Sequence, residues 1–108
     1  MRLPIHLRPW GAMLVAGALA LPAVAQDAKT LHLRSLAATC ANCHGTQGRA
    51  VDGASVPGLA GMPASYIADQ MRAFKAGTRP ATVMHQLAKG YSDAQIDAVA
   101  GYFAAQKK

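Results

Sequence analysis

The chain contains two cysteines, three residues apart, with a histidine directly after the second: Cys40-Ala41-Asn42-Cys43-His44. This cluster constrains the fold more than any other feature, because it dictates what the interior is built around. A disulfide between the two thiols would close a tiny loop and leave His44 without a role. A thioredoxin-like redox pair belongs in a βαβ setting, and no strand pattern is visible. A structural zinc site needs four ligands; His32, His44 and the cysteines lack the second close ligand pair usual in fingers. Two thiols at this spacing on one helix end can instead add to the two vinyl groups of a haem. His44 then lies under the porphyrin with an imidazole nitrogen directed at iron. C-x-x-C-H reads as c-type haem attachment, with one haem c held covalently by Cys40 and Cys43.

The 108 residues are enough for one domain and not two. Residues 1–25 read as a cleaved secretory signal peptide. Arg2 and Arg8 form a positive n-region, Trp10 to Val24 is largely apolar, and Ala23-Val24-Ala25 is an A-x-A cleavage pattern. The apolar run is shorter than the ~20 residues of a spanning helix and Pro22 interrupts its end. Residues 26–108 are then the mature domain, exported to the periplasm and free of the membrane after cleavage. That segment carries nine Lys and Arg against five Asp, a formal +4. The balance suits an acidic partner protein. The cations are scattered and no basic run appears, so nucleic acid is not an expected partner. A domain of roughly 83 residues buries too little apolar surface to be comfortable without a staple or prosthetic group.

Hydrophobic periodicity predicts an all-α fold of about four short helices. The first runs from about Lys29 to Cys40, with Leu31, Leu33, Leu36 and Ala37 on its apolar side. From Gly45 to Gly61 five glycines and Pro57 forbid a long element. The second helix opens at Pro63 and stops before Gly77, with Tyr66, Ile67, Met71 and Phe74 as its inward face. A third, short one spans Ala81 to Lys89, closed by Gly90. The fourth starts at a Ser92/Gln95 capping box and carries an Ile96, Val99, Ala100, Phe103 stripe.

A haem iron used for electron transfer wants a second axial ligand that stays in place through both oxidation states. Met84 stands in the connection between the Gly77-Thr78-Arg79-Pro80 break and the last helix, where the chain can return over the opposite haem face. That placement favours Met84. His85 beside it is the main rival and would give a lower potential than Met/His ligation. Met71 reads as core and Met62 as a weaker loop candidate. Apolar cover for the haem is expected from Pro57, Leu59, Tyr66, Ile67, Met71 and Phe74, and Pro57 can bring its carbonyl to Nδ1–H of His44. Tyr102 or Phe103 is expected where the first and last helices cross.

With these residues in place, the chain resembles a class I c-type cytochrome of the cytochrome c4/c553 group. The likeness covers the whole mature segment: C-A-N-C-H-G, V-P-G-L-A-G, P-A-S-Y-I-A-D-Q-M-R-A-F-K-A-G-T-R and S-D-A-Q-I-D-A-V-A-G-Y-F. Within that class it is most similar to the haem domain of flavocytochrome c sulfide dehydrogenases, through T-V-M-H-Q-L-A-K-G-Y-S-D from Thr82 to Asp93. The resemblance implies a small fold wrapped round one haem, with His44 and Met84 as axial ligands. It also implies a mono-haem electron-transfer protein that makes no bond itself. It would serve as the cytochrome subunit taking electrons from an FAD-containing sulfide dehydrogenase; the alternative is a free c553-type shuttle between respiratory complexes. Some relatives in that family carry two haem domains, whereas this chain has one C-x-x-C-H. A haem peroxidase or ligand sensor would need an open iron position, which Met84 argues against.

Overall fold

The computed structural model describes the backbone of residues 21–108 and the side chains of residues 27–108. The leader expected over residues 1–25 lies mostly outside the described residues. Among those described there is no strand. The elements are α1 (Leu21–Ala38), α2 (Ala41–His44), a 3₁₀ turn (Thr46–Gly48), α3 (Ala64–Ala76), α4 (Met84–Lys89) and α5 (Asp93–Ala104). None of the described helices is long and apolar enough to cross a membrane.

α1 is longer than the pattern suggested, because no Gly or Pro interrupts the chain between Pro22 and Thr39. Its inward side is Leu33, Leu36, Ala37 and Cys40, at i, i+3, i+4 and i+7. Leu31, expected on that side, is 66% exposed: two residues from Leu33, it lies about 200° round the helix. The helix stops where the Thr39 hydroxyl donates to Leu36 O at 2.9 Å. The attachment motif then forms a helical turn of its own, α2, which the spacing of apolar residues could not reveal.

The glycine-bearing segment folds back on itself. Leu59 N and Ala60 N both donate to Gly48 O, at 2.8 and 3.1 Å, and Gly61 N donates to Phe103 O at 2.9 Å. Those bonds fasten the loop to α5. α3 follows Pro63, and Gly77 ends it in the left-handed conformation, φ 76°. α4 begins three residues later than expected. Val83, at φ −134° and ψ −27°, lies outside the helical region, and its carbonyl accepts from Gln86 N and Leu87 N, opening the helix at Met84.

α5 is entered through the expected capping box. Gln95 N donates to Ser92 Oγ at 3.2 Å, and Ser92 N to Gln95 Oε1 at 2.9 Å. Ile96, Val99, Ala100 and Phe103 are all buried and form the centre of the core with Ala37, Ile67 and Ala68. α5 therefore packs on both α1 and α3, and α3 packs on α4. The Phe103 ring meets Tyr102 edge-on at 5.2 Å. Lys75 reaches from α3 to Tyr91 O at 2.8 Å and to Asp93 at 3.0 Å, and Arg72 pairs with Asp97. These exposed ion pairs set the α3–α5 register and contribute about 0–1 kcal/mol each.

Candidate functional site

α2, the loop after it, α3 and the α4 segment enclose one cavity of about 510 Å³. That is within the roughly 300–1,000 Å³ usual for cofactor sites. Cys40 and Cys43 open one wall and His44 sits beside them; Pro57, Leu59, Tyr66, Ile67, Met71 and Phe74 line it, as does Met84. The cavity thus brings together every residue singled out above for haem binding. His85 is not among its lining residues, although its Nδ1 is buried without a hydrogen-bond partner. His32 is exposed and lies in a separate shallow groove between α1 and α5. Among the described residues no group of three or more His, Cys, Asp or Glu could hold a metal ion.

Among the described residues His44 is the one buried polar residue. Its Nδ1 stands 2.6 Å from Pro57 O. A carbonyl only accepts, so Nδ1 carries the proton, and in the neutral ring Nε2 keeps its lone pair. The contact orients the ring, as is common for metal-bound histidines. Pro57 is held in turn by the bonds from Leu59 and Ala60 to Gly48.

The thiols are not joined to each other. Burial pushes the Cys40 thiol up, against the Thr39 hydroxyl 3.9 Å from Sγ, which lowers it; the Cys43 thiol raises it slightly. Thr39 also bonds Tyr91 OH at 2.7 Å, tying the end of α1 to the turn before α5 across the cavity wall.

All three methionines of the segment beyond the leader line the cavity. Met62 and Met71 are packed against the core cluster, whereas Met84 stands off it at the first turn of α4. Sequence reasoning did not single out Thr39, Gln70, Arg79, Val83, Leu87 or Tyr91, which also line the cavity. Gln70 was legible in principle, lying between Tyr66 and Phe74 at the four-residue repeat of one α3 face.

Residues 34–107 match the family model described as Cytochrome c. The chain belongs to the cytochrome c family. It is a class I c-type cytochrome, and its cofactor is haem c, for which Cys40 and Cys43 fit the C-x-x-C-H attachment motif. This cytochrome is 45% identical over 71 residues to the thiosulfate dehydrogenase electron acceptor of Thiomonas intermedia (strain K12), covering 66% of this chain and 33% of that protein. It is 40% identical over 68 residues to the cytochrome subunit of sulfide dehydrogenase of Chlorobaculum tepidum, covering 63% of this chain and 60% of that one. Cytochrome c-554(548) of Halomonas halodenitrificans is 35% identical over 72 residues, 64% of this chain and 86% of its own length. The alignment thus takes in about a third of the Thiomonas protein and three fifths of the Chlorobaculum one.

The residues present fit a haem. Two thiols lie beside an imidazole whose Nε2 is free to ligate, and the remaining wall is chiefly apolar. Tyr66, Val83 and Leu87, about half exposed in the polypeptide, all face into that space.

Proposed function

We propose that this cytochrome is a periplasmic one-electron carrier that takes electrons from a dehydrogenase oxidising a reduced sulfur compound. The haem supplies the reversible one-electron couple of its iron. The chain's residues hold and tune it. Cys40 and Cys43 form the two thioether bonds, and His44 supplies Nε2 while Pro57 O keeps its ring from turning. Met84 supplies a thioether from α4, and the apolar side chains of α3 and the 56–59 loop exclude water and lower the dielectric around the metal, which tunes its potential. A ligand pair that stays on through both oxidation states suits transfer rather than bond chemistry, so the protein itself makes no bond. The observation that carries this reading is that His44 and Met84, from two separate segments, line the same apolar cavity as the two thiols.

Export belongs to the same reading: cleavage after Ala25 leaves residues 26–108 in the compartment where c-type haem is attached. The donor we favour is an FAD-containing sulfide dehydrogenase subunit, supported by the likeness to the Chlorobaculum cytochrome subunit. The likeness to thiosulfate dehydrogenase electron acceptors makes a thiosulfate-oxidising donor the second reading. A free shuttle is the third, supported by the likeness to a cytochrome of which the alignment covers 86%.

The test is the matured protein purified from its periplasm. Denaturing mass spectrometry should give one haem mass added to a polypeptide that starts at Gln26. Its visible spectrum should then report reduction by sulfide in the presence of a copurifying flavoprotein. Reduction by thiosulfate and its dehydrogenase alone would transfer the assignment to the second reading. Reduction only by a respiratory complex would transfer it to the third, and a polypeptide without haem mass would end all three.

A further inference from the structure

Gln47 is the one non-glycine residue with a left-handed backbone among those described, at φ 56° and ψ 26°. It sits in the 3₁₀ turn that follows His44. Two hydrogen bonds close that turn: Gly48 N donates to Gly45 O at 2.9 Å, and Arg49 N to Thr46 O at 3.1 Å. A Cβ raises the energy of the left-handed conformation, and such strain persists only where the surroundings enforce it. Arg49 enforces it here. Its Nη1 donates to Gln47 Oε1 at 2.5 Å, and its Nε donates to Lys107 O at 2.9 Å, beyond the end of α5. A guanidinium holds its donors in a rigid planar fork, so one side chain locks the tip of the turn to the segment after α5.

The turn bears on His44 from two sides. The Arg49 carbonyl packs so closely on Gly45, the residue after His44, that a Cβ there would lie 1.9 Å from it. Gly48, between Gln47 and Arg49, gives its carbonyl to Leu59 N and Ala60 N. Pro57, two residues before Leu59, offers the carbonyl that stands 2.6 Å from His44 Nδ1. The far end of this loop is pinned to α5 separately, by Gly61 N on Phe103 O. Arg49 is the side chain that ties the near end, although it is itself exposed.

We propose that Arg49 is a positioning residue for the histidine ligand: by clamping Gln47 to the segment after α5 it keeps Pro57 O on His44 Nδ1, and so holds the midpoint potential down. This rests on the haem reading above. A carbonyl that accepts from Nδ1–H makes an imidazole a stronger donor to a metal, and a stronger donor favours the oxidised iron. Loosening the clamp weakens that contact and raises the potential. Loss of a nearby positive charge acts the other way, since a cation favours the less positive, reduced state. The sign of the shift therefore separates positioning from charge.

The experiment compares wild type, Arg49→Gln, Lys107→Gln, Ser92→Ala and the double variant Arg49→Gln with Gln47→Gly, each exported and matured with haem. Denaturing mass spectrometry counts haem, NMR follows solvent exchange of the His44 Nδ1 proton, and redox titration at neutral pH reads the midpoint potential. Arg49→Gln should speed that exchange on the order of tenfold. It should also raise the equilibrium constant for reduction on the order of threefold, about 28 mV for one electron. Lys107→Gln removes a charge from the same place but keeps the backbone carbonyl that Arg49 uses, so exchange should stay as in wild type and the potential should not rise. Adding Gln47→Gly to Arg49→Gln should return both readings toward wild type, because glycine adopts the left-handed turn without strain. Ser92→Ala, destabilised away from the loop, should change neither. Haem-loaded Arg49→Gln with wild-type exchange and an unchanged or lowered potential overturns the proposal. So does equal acceleration in Ser92→Ala, or a double variant no closer to wild type than Arg49→Gln alone. If Arg49→Gln does not mature, Gln47→Ala, which removes the acceptor and keeps the strain, is read by the same two measurements. Wild-type protein without haem mass overturns the haem reading and this proposal together.

Discussion

Replacing Gly48 by Ala tests how the loop, the core and the haem ligand are joined. Gly48 is buried with φ +77°, and a Cβ there would come within 2.8 Å of Phe103 Cδ1, 2.9 Å of Ala60 N and 3.1 Å of Leu59 Cβ. The Phe103 ring cannot retreat, being 1% exposed at the centre of the core, and Ala60 N is backbone bonded to the Gly48 carbonyl itself. Two costs add. The left-handed conformation costs a non-glycine residue about 1–2 kcal/mol, and crowding a packed site adds about 1–3. About 2–5 kcal/mol is a large part of the roughly 5–15 of a whole domain. For a domain this size it should lower Tm by at least about 8 °C. Gly53 supplies the control, with the same φ of +77° and nothing within 4 Å of a new Cβ, so Gly53→Ala carries the conformational cost alone. The assay is thermal unfolding of haem-loaded proteins followed by far-ultraviolet circular dichroism. If the two variants melt within a degree or two of each other, the steric argument, and with it the packing of Gly48 on Phe103, is wrong.

Four further outcomes follow from the same structure. Met84→Ala should keep its haem but lose the sulfur ligand, lowering the midpoint potential and letting carbon monoxide bind the reduced protein at neutral pH; an unchanged potential would remove Met84 from the site. Phe103→Ala should destabilise by about 3–5 kcal/mol in denaturant titration, since its side chain is fully buried. Ser92→Ala removes the capping-box acceptor of Gln95 N and should cost about 1 kcal/mol, also read by denaturant titration. Lys75 holds the Asp93 carboxyl below the ordinary carboxylate range, by hydrogen bond first and charge second. A depressed folded value stabilises above the unfolded one and is lost as pH falls through it, so any Tm deficit of Asp93→Asn should fade below about pH 4.

Two kinds of signal were legible in the sequence, and both are local. α3 and α5 carry their stop and start signals in Gly77 and the Ser92/Gln95 pair, and their inward residues recur at helical spacing. The cysteine–histidine cluster has one chemical use that satisfies all three side chains at once. Illegible were features decided by approach between distant segments. α2 is one turn long and has no period to read. The shift of α4 to Met84 depends on the non-helical backbone of Val83, which no breaker announces. Arg79 and Gln70 look like ordinary solvent-facing residues of the α3 segment until the chain after Gly77 turns back across that helix. Met71 reads as core from its place between Ile67 and Phe74, and it does pack on the core; that Met62 also packs there, while both share the cavity wall with Met84, was not legible.

The same packing explains why so short a domain needs its prosthetic group. Among the described residues five of the nine buried apolar residues are alanines, and only Phe103 and Ile96 are large side chains buried almost completely. At about 25 cal/mol per Å² of apolar area removed from water, such a core contributes little beyond the cost of ordering the chain. The larger apolar residues, Tyr66, Phe74, Val83 and Leu87 among them, face the cavity instead. A haem in the cavity would complete their burial, so haem binding and folding are expected to be coupled. Protein with both Cys40 and Cys43 replaced by Ala should accordingly lose cooperative thermal unfolding along with its haem. A sharp, haem-free transition at the wild-type temperature would show that the polypeptide core suffices and refute this account.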